Sequence, residues 1–268
     1  MKHEHHKSRF HDHQHAAEFD RRAAKSEIRA DLEKRLADAL ALEGDEMVLD
    51  LATGTGRVAR AVAKKLRGGR VVGVDEALAM LDVGHEHEEP IPGYSQTAGE
   101  AAALPFKPNT FDRAFVSFSL HHFGEPAVVA REILGVLKKG GRFVVLDPVV
   151  QEARDSVDQL LEERINDVFR RTHGETFRFH SAASIRNLLT DAGFRIVRSD
   201  LPTYSFDQHG MDGIPTGRHW LEVAEELQIE SPELAQRLKE SYFRWERKGE
   251  TVHVRGRFCY ALVSGEKI

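Results

Sequence analysis

Cysteine is nearly absent from this chain: Cys259 stands alone among 268 residues. A lone thiol excludes an intramolecular disulfide framework and any zinc site built on several cysteines. No apolar run approaches the roughly 20 residues needed to cross a bilayer, so membrane insertion is not expected. The opening MKHEHHKSRF holds no apolar stretch of the secretory kind, which predicts no signal peptide and a cytoplasmic protein. Positive charge is not in excess either, and a net charge of −5 makes no electrostatic case for a nucleic-acid partner. Internal repeats and long low-complexity linkers are missing. What is present is a hydrophobic content of 41%, enough for a real core in one large domain.

Residues 1–15 hold six of the fifteen histidines: His3, His5, His6, His11, His13 and His15. Clustered imidazoles suit zinc, nickel or copper. No carboxylate or cysteine pattern gives them a geometry, so this segment is read as a solvated tail and no metal site is assigned. HEHEE at 85–89 is read as a solvated loop. Residues 16–42 place Ile28, Leu32, Leu36 and Leu40 on one stripe, which predicts a helix. Beyond it, strand-like runs (VVGV at 71–74, FDRAFVSFSL at 111–120, FVVL at 143–146) alternate with helical patterns that end in glycine. That alternation implies an α/β fold, doubly wound and Rossmann-like, with a mostly parallel seven-stranded sheet and an antiparallel last strand near 252–263. The single domain is expected to span 16–268, with helical cap insertions at about 151–180 and 202–250.

The chain is organised around MVLDLATGTGRVA, Met47–Ala59. An apolar strand carrying Asp50 meets a turn of small residues (Ala52, Thr53, Gly54, Thr55, Gly56), and a helix follows. Glycines there let a ligand approach the backbone N–H groups. Gly54 to Ala59 formally fits the dinucleotide fingerprint, so NAD has to be weighed. Asp50 argues against it: a carboxylate at the mouth of the first strand opposes a pyrophosphate and suits a cationic or zwitterionic ligand. Asp75 ends the second strand, where a carboxylate can accept hydrogen bonds from both hydroxyls of a ribose.

Taken together, VLDLATGTG, VVGVDEALAML, GEAAALPF, FDRAFVSFSLHHF and VLKKGGRFVVLD resemble the class I S-adenosylmethionine-dependent methyltransferases. The likeness is greatest to the ubiquinone/menaquinone-biosynthesis (type 11) branch and covers about residues 16–148, with a weaker match through Ala192-Gly193-Phe194. The resemblance implies that Asp50 and the Ala52–Gly56 turn, with Thr53 and Gly54, hold the amino-acid part of S-adenosylmethionine. It implies that Asp75 binds the ribose, with Glu76 and Met80 near ribose and adenine, and that Glu100 and Ala101 border the adenine. Ser117, Ser119 and the chain as far as His121 would run beneath the sulfonium. Two positions depart from the pattern: Glu100 stands where Asp is usual, and Ala102 where Glu is frequent.

Methyl transfer from a sulfonium is an in-line displacement, so the protein has to align the partners and exclude water. An acceptor that loses a proton also needs a base. His121, His122 and Asp147 lie where the fourth and fifth strands end, and they are the catalytic candidates. Consecutive histidines are expected to point apart, so only one of the two should reach the site. Trp220, His219, Tyr204, Tyr242 and Trp245 are candidates for an aromatic acceptor site, although core packing explains them as well. Arg171, His173, Arg178 and His180 read as a local basic group that meets an acidic acceptor or lies on a solvated face. The expected partner is a small-molecule acceptor, and a homodimer is compatible with the sequence. The competing readings are an NAD(P)-dependent oxidoreductase and an S-adenosylmethionine-binding protein without transfer. A base-amino methyltransferase is disfavoured, because the N-P-P-Y or D-P-P-Y carried by such enzymes is absent after the fourth strand.

Overall fold

Ser26 splits the segment that the leucine stripe suggests is one helix. Its hydroxyl accepts from the Arg29 amide at 3.3 Å, and a serine oxygen at that position starts a helix rather than continuing one. The computed structural model, which describes residues 9–86, 90–212, 214 and 216–268, therefore opens with two helices. α1 (His13–Ala23) is capped by Asp12, whose Oδ1 accepts from the His15 amide at 2.7 Å. α2 (Glu27–Ala39) drives Leu32 and Leu36 into the core, and Leu40 follows at its end. The histidine-rich start is thus not a tail along its whole length. His11 closes a 3₁₀ turn, and His13 and His15 belong to α1. His3, His5 and His6 lie outside the described residues, as do positions 87–89 of the HEHEE stretch.

The strands are β1 (Met47–Leu51), β2 (Arg70–Asp75), β3 (Tyr94–Ala98), β4 (Phe111–Ser117), β5 (Leu137–Val150), β6 (His180–Ser181), β7 (Phe194–Asp200), β8 (Thr203–His209), β9 (Phe243–Lys248) and β10 (Thr251–Lys267). The main path runs β3-β2-β1-β4-β5-β10-β7, parallel from β3 to β5, with β10 antiparallel to both its neighbours. Helices α3 (Arg57–Ala63), α4 (Leu78–Glu86) and α5 (Pro126–Val136) make the crossovers that parallel strands require. α6 (Ser156–His173), α7 (Ala182–Ala192), α8 (Gly217–Glu230) and α9 (Pro232–Ser241) complete the chain.

The fold is the expected mixed α/β sheet, Rossmann-like and closed by an antiparallel strand. The strand count needs correction: the sheet has ten strands, seven on the main path, with β6 on β5 and both β8 and β9 on β10. Residues 202–250 are accordingly not a purely helical insertion. Phe206 and Phe243 are buried, whereas Ser205, Asp207 and Arg244 are exposed, and that period of two builds β8 and β9.

One face of the sheet is covered by α2, α3 and the cap helices, the other by α5 and α7. The carboxyl ends of β1, β2, β4 and β5 share one edge. β1 lies between β2 and β4, so the strand order reverses there, which is where open α/β sheets bind ligands.

Candidate active site

The turn after β1 is held open by backbone geometry. Ala52, Gly54 and Gly56 all have positive φ, at 54°, 58° and 77°. At Gly56 a Cβ would collide with the Tyr94 hydroxyl, and at Gly54 it would press on Met80 Cε at 3.0 Å. Two carboxylates fasten this turn. Asp50 is 1% exposed; its Oδ2 accepts from the Thr53 hydroxyl at 2.7 Å, while Oδ1 has no partner among the described residues. Burial holds the Asp50 carboxyl well above the ordinary carboxylate range, and the negative charges of Asp75 and Glu33 add to the shift. Asp75 accepts from the Gly54 amide at 2.7 Å and from the Ala77 amide at 2.8 Å. Burial raises its pKa too, opposed by those two amides.

A second constellation stands at the ends of β4 and β5. Phe118, with φ 54°, turns the chain out of β4 into a 3₁₀ turn at Leu120–His122. His121 Nδ1 lies 2.9 Å from Asp147 Oδ2, and its amide donates to the same oxygen at 3.2 Å. Asp147 is fully buried, and its Oδ1 has no partner among the described residues. The His122 ring lies 4.3 Å from that of His121, contrary to the expectation that the two diverge. His173 packs 5.5 Å from His122, His219 lies 4.9 Å from His173, and Phe177 touches His121, His122 and His173. Burial, then the neighbouring His121 and His173, push His122 well below the ordinary imidazole range. Burial lowers His180 as well, against the attraction of Asp147. Among the described residues, no group of three or more His, Cys, Asp or Glu has the geometry to hold a metal ion.

Residues 49–145, which contain the turn and both of its carboxylates, match the model of the methyltransferase domain family. Over those residues the chain is similar to a methyltransferase domain. A demethylmenaquinone methyltransferase from Corynebacterium kroppenstedtii is 43% identical over 102 residues, 38% of this chain and 42% of that protein. One from Renibacterium salmoninarum is 36% identical over 141 residues, 49% of this chain and 57% of that protein. The chain thus spans about half the length of these curated relatives. In fold, the chain is similar to the YcgJ protein of Bacillus subtilis, with a TM-score of 0.69 at 20% identity over 89% of this chain and 98% of that one. It is also similar to a geranyl diphosphate methyltransferase in complex with GPP and sinefungin, with a TM-score of 0.58 at 14% identity over 90% of this chain and 79% of that one.

Within this chain, the predicted cofactor residues gather unevenly. Asp50, Thr53, Gly54 and Asp75 are joined by hydrogen bonds, Ala52 and Gly56 shape the turn, and Met80 packs against Gly54. Gly99 donates to the Asp75 carbonyl at 3.0 Å and so carries Glu100 and Ala101 to this edge. The Glu100 and Glu76 side chains are exposed. Ser117 is buried, and Ser119 donates to its carbonyl at 3.1 Å.

The basic group expected at 171–180 divides. Arg171 and Arg178 pair outward with Glu226 and Glu162, whereas His173 and His180 turn toward His122, His121 and Asp147. Of the aromatic candidates, Trp220 and Tyr242 are core residues, Tyr204 bonds Asp31, and Trp245 lies under Lys239. Sequence reasoning missed how α1 and the 3₁₀ turn before it cover the site. Asp20 accepts from the Thr55 hydroxyl at 2.5 Å, Ala16 is buried against Ala77, Met80 and Val83, and the Phe10 ring stands edge-on to His122 at 5.5 Å.

Proposed function

We propose that this chain moves a methyl group from S-adenosylmethionine to a small-molecule acceptor. The observation that carries the reading is Asp50: buried, with one oxygen unpartnered among the described residues, inside the stretch that matches the methyltransferase domain. A buried orphan acceptor calls for a donor. An α-ammonium group fits it, whereas a pyrophosphate would be repelled. That repulsion disfavours the NAD(P)-dependent oxidoreductase, which the glycine spacing alone would allow. The remaining residues fit the same cofactor. The turn Ala52–Gly56 would hold its amino-acid part, and each Asp75 oxygen, bound by one amide, keeps acceptor capacity for a ribose hydroxyl. Met80 and Glu76 would border ribose and adenine, Glu100 and Ala101 the adenine edge, and Ser117 and Ser119 the floor under the methionine chain. When bound, the cofactor supplies an activated methyl group on a sulfonium sulfur.

The protein would supply alignment, dryness and a place for a proton. The Asp147 carboxylate can only accept, so His121 Nδ1 carries the hydrogen between them and Nε2 keeps the free lone pair. Nε2 would take the acceptor's proton, with Asp147 orienting the ring. His122, held neutral by burial, would help to shape the acceptor side. We infer a small aromatic acceptor, and a demethylated quinol is the first to test. The aromatic and imidazole rings of the cap support this, as do relatives named demethylmenaquinone methyltransferases. A protein that binds the cofactor without transfer would leave the His121–Asp147 pair without a task.

Transfer of labelled methyl from S-adenosylmethionine to a panel of hydroquinones and phenols tests the proposal. His121→Ala should lower turnover about 100-fold or more, with S-adenosylhomocysteine affinity held within about threefold. Unchanged turnover would remove His121 as the base. Cofactor binding without transfer to any acceptor would favour the non-catalytic reading.

A further inference from the structure

Four imidazoles from three separate elements stand in one row beside apolar rings. His121 and His122 come from the 3₁₀ turn after β4, His173 ends α6, and His219 lies in the first turn of α8. Their ring centroids are 4.3 Å apart from His121 to His122, 5.5 Å from His122 to His173 and 4.9 Å from His173 to His219. Spacings of this size leave neighbouring ring nitrogens within reach of one another, directly or through one water. Phe177 walls the inner part of the row, 5.0 Å from His121, 5.5 Å from His122 and 5.0 Å from His173. Phe169 continues that wall, 5.9 Å from His173 and 5.4 Å from His219. Both phenylalanines are buried, and so is His121, whereas His122, His173 and His219 are half-buried. The row therefore runs from the buried His121–Asp147 pair outward along a hydrocarbon wall.

Packing alone would not select imidazole here. A carbon ring fills the same volume without the cost of desolvating a polar group, and His122 carries that cost as a pKa pushed down by burial and by its two imidazole neighbours. The charges around the row are few. Asp147 holds His121 at the inner end, with His180 and Arg178 beyond it, and Arg171 of α6 pairs with Glu226 of α8 at 2.5 Å. Methyl transfer leaves a proton to be removed. As the methyl carbon bonds to the acceptor atom, the C–S electron pair stays on sulfur and the acceptor's proton passes to His121 Nε2. That imidazolium has to be emptied before the next turnover. We propose that His122, His173 and His219 carry this proton from His121 to solvent. Each ring takes a proton on one nitrogen and gives up the proton on the other, and a turn of the ring restores its tautomer. One proton leaves for each methyl transferred, and nothing is oxidised or reduced. The inference rests on the reading of His121 as the base. A neutral His122 suits its place, because it passes the proton on without keeping a positive charge beside His121.

The test uses the full chain, S-adenosylmethionine and the hydroquinone or phenol of the panel that the wild type methylates fastest, in dilute buffer without imidazole. His173→Phe interrupts the row with a ring that suits the surrounding wall. Turnover should fall about 10-fold, while the acceptor KM and the S-adenosylhomocysteine affinity stay within about threefold. Free imidazole added to the variant should restore most of the lost turnover and leave the wild type unchanged. The solvent deuterium isotope effect on kcat should be larger in the variant, because proton release has become limiting. His219→Phe, at the outer end, should show a smaller loss with the same rescue, and it also serves if His173→Phe does not fold. Unchanged turnover in both variants would overturn the proposal. A loss that imidazole does not rescue would make these rings packing residues and overturn it too. His121→Ala protein that turns over like wild type would refute the base reading itself, a result distinct from the other two.

Discussion

Asp50 costs the empty protein stability, and that cost has a pH signature. Its pKa is raised in the folded state by burial, so native and unfolded chains are both protonated below the unfolded value of about 3.9. As the pH rises through the folded value, a buried carboxyl must ionise and stability is lost. Asp50→Asn removes that loss while keeping a group that can accept from Thr53. Thermal melts should show the variant more stable than wild type at pH 7–8 without cofactor, and no more stable near pH 3. The same change should weaken S-adenosylhomocysteine about tenfold or more, because a neutral amide is a poor partner for an ammonium. A variant that is both less stable and fully competent to bind would contradict this role. Asp50 and the glycines were legible in the sequence because one short strand–turn–helix unit dictates their spacing, and Asp75 because it ends the strand that follows. Asp20 was not: it sits on a helix crowded with charge, and only tertiary packing selects which charges turn inward.

The element that most changes the picture is α1. It touches the turn through Asp20 and the Met80 side through Ala16, and the 3₁₀ turn just before it brings Phe10 against His122. Asp20→Ala leaves the Thr55 hydroxyl without its acceptor and should cost about 1 kcal/mol in chemical denaturation. Stopped-flow measurements should also show S-adenosylhomocysteine leaving faster. An unchanged release rate would mean that α1 does not close the site.

The cap has its own pH response. His122 is held neutral in the fold, so its contribution is complete above the ordinary imidazole pKa of about 6.5 and is lost as the pH falls and the unfolded chain takes up a proton. His122→Phe should therefore flatten the loss of stability between pH 6.5 and 5. A variant that follows the wild-type slope would argue that this imidazole is not desolvated. These elements were only partly legible. The leucine stripe ran through Ser26 without revealing the break, and the period of two at Tyr204–Phe206 and Phe243–Trp245 was masked by the helices between them.

Across the whole molecule, β10 organises what the motifs left undefined. It pairs with β5 and β7 toward its end and with β8 and β9 toward its start, so one strand belongs to the main sheet and also anchors the cap. The alternation of strand and helix was enough to read the parallel half. A strand that changes partners along its length leaves no local signature, and the extra strands were therefore hidden. Among the described residues, no helix is long and apolar enough to cross a membrane.

We propose that the crevice at this edge takes S-adenosylmethionine and not a dinucleotide. Calorimetric titration of the full chain with S-adenosylhomocysteine and with NADH tests it most directly, alongside Gly54→Val, which puts a branched side chain at φ 58° against Met80. Micromolar-range binding of S-adenosylhomocysteine, no saturable heat with NADH, and loss of binding in Gly54→Val are the expected results. Saturable NADH binding without S-adenosylhomocysteine binding, or a Gly54→Val protein that binds as well as wild type, would contradict it.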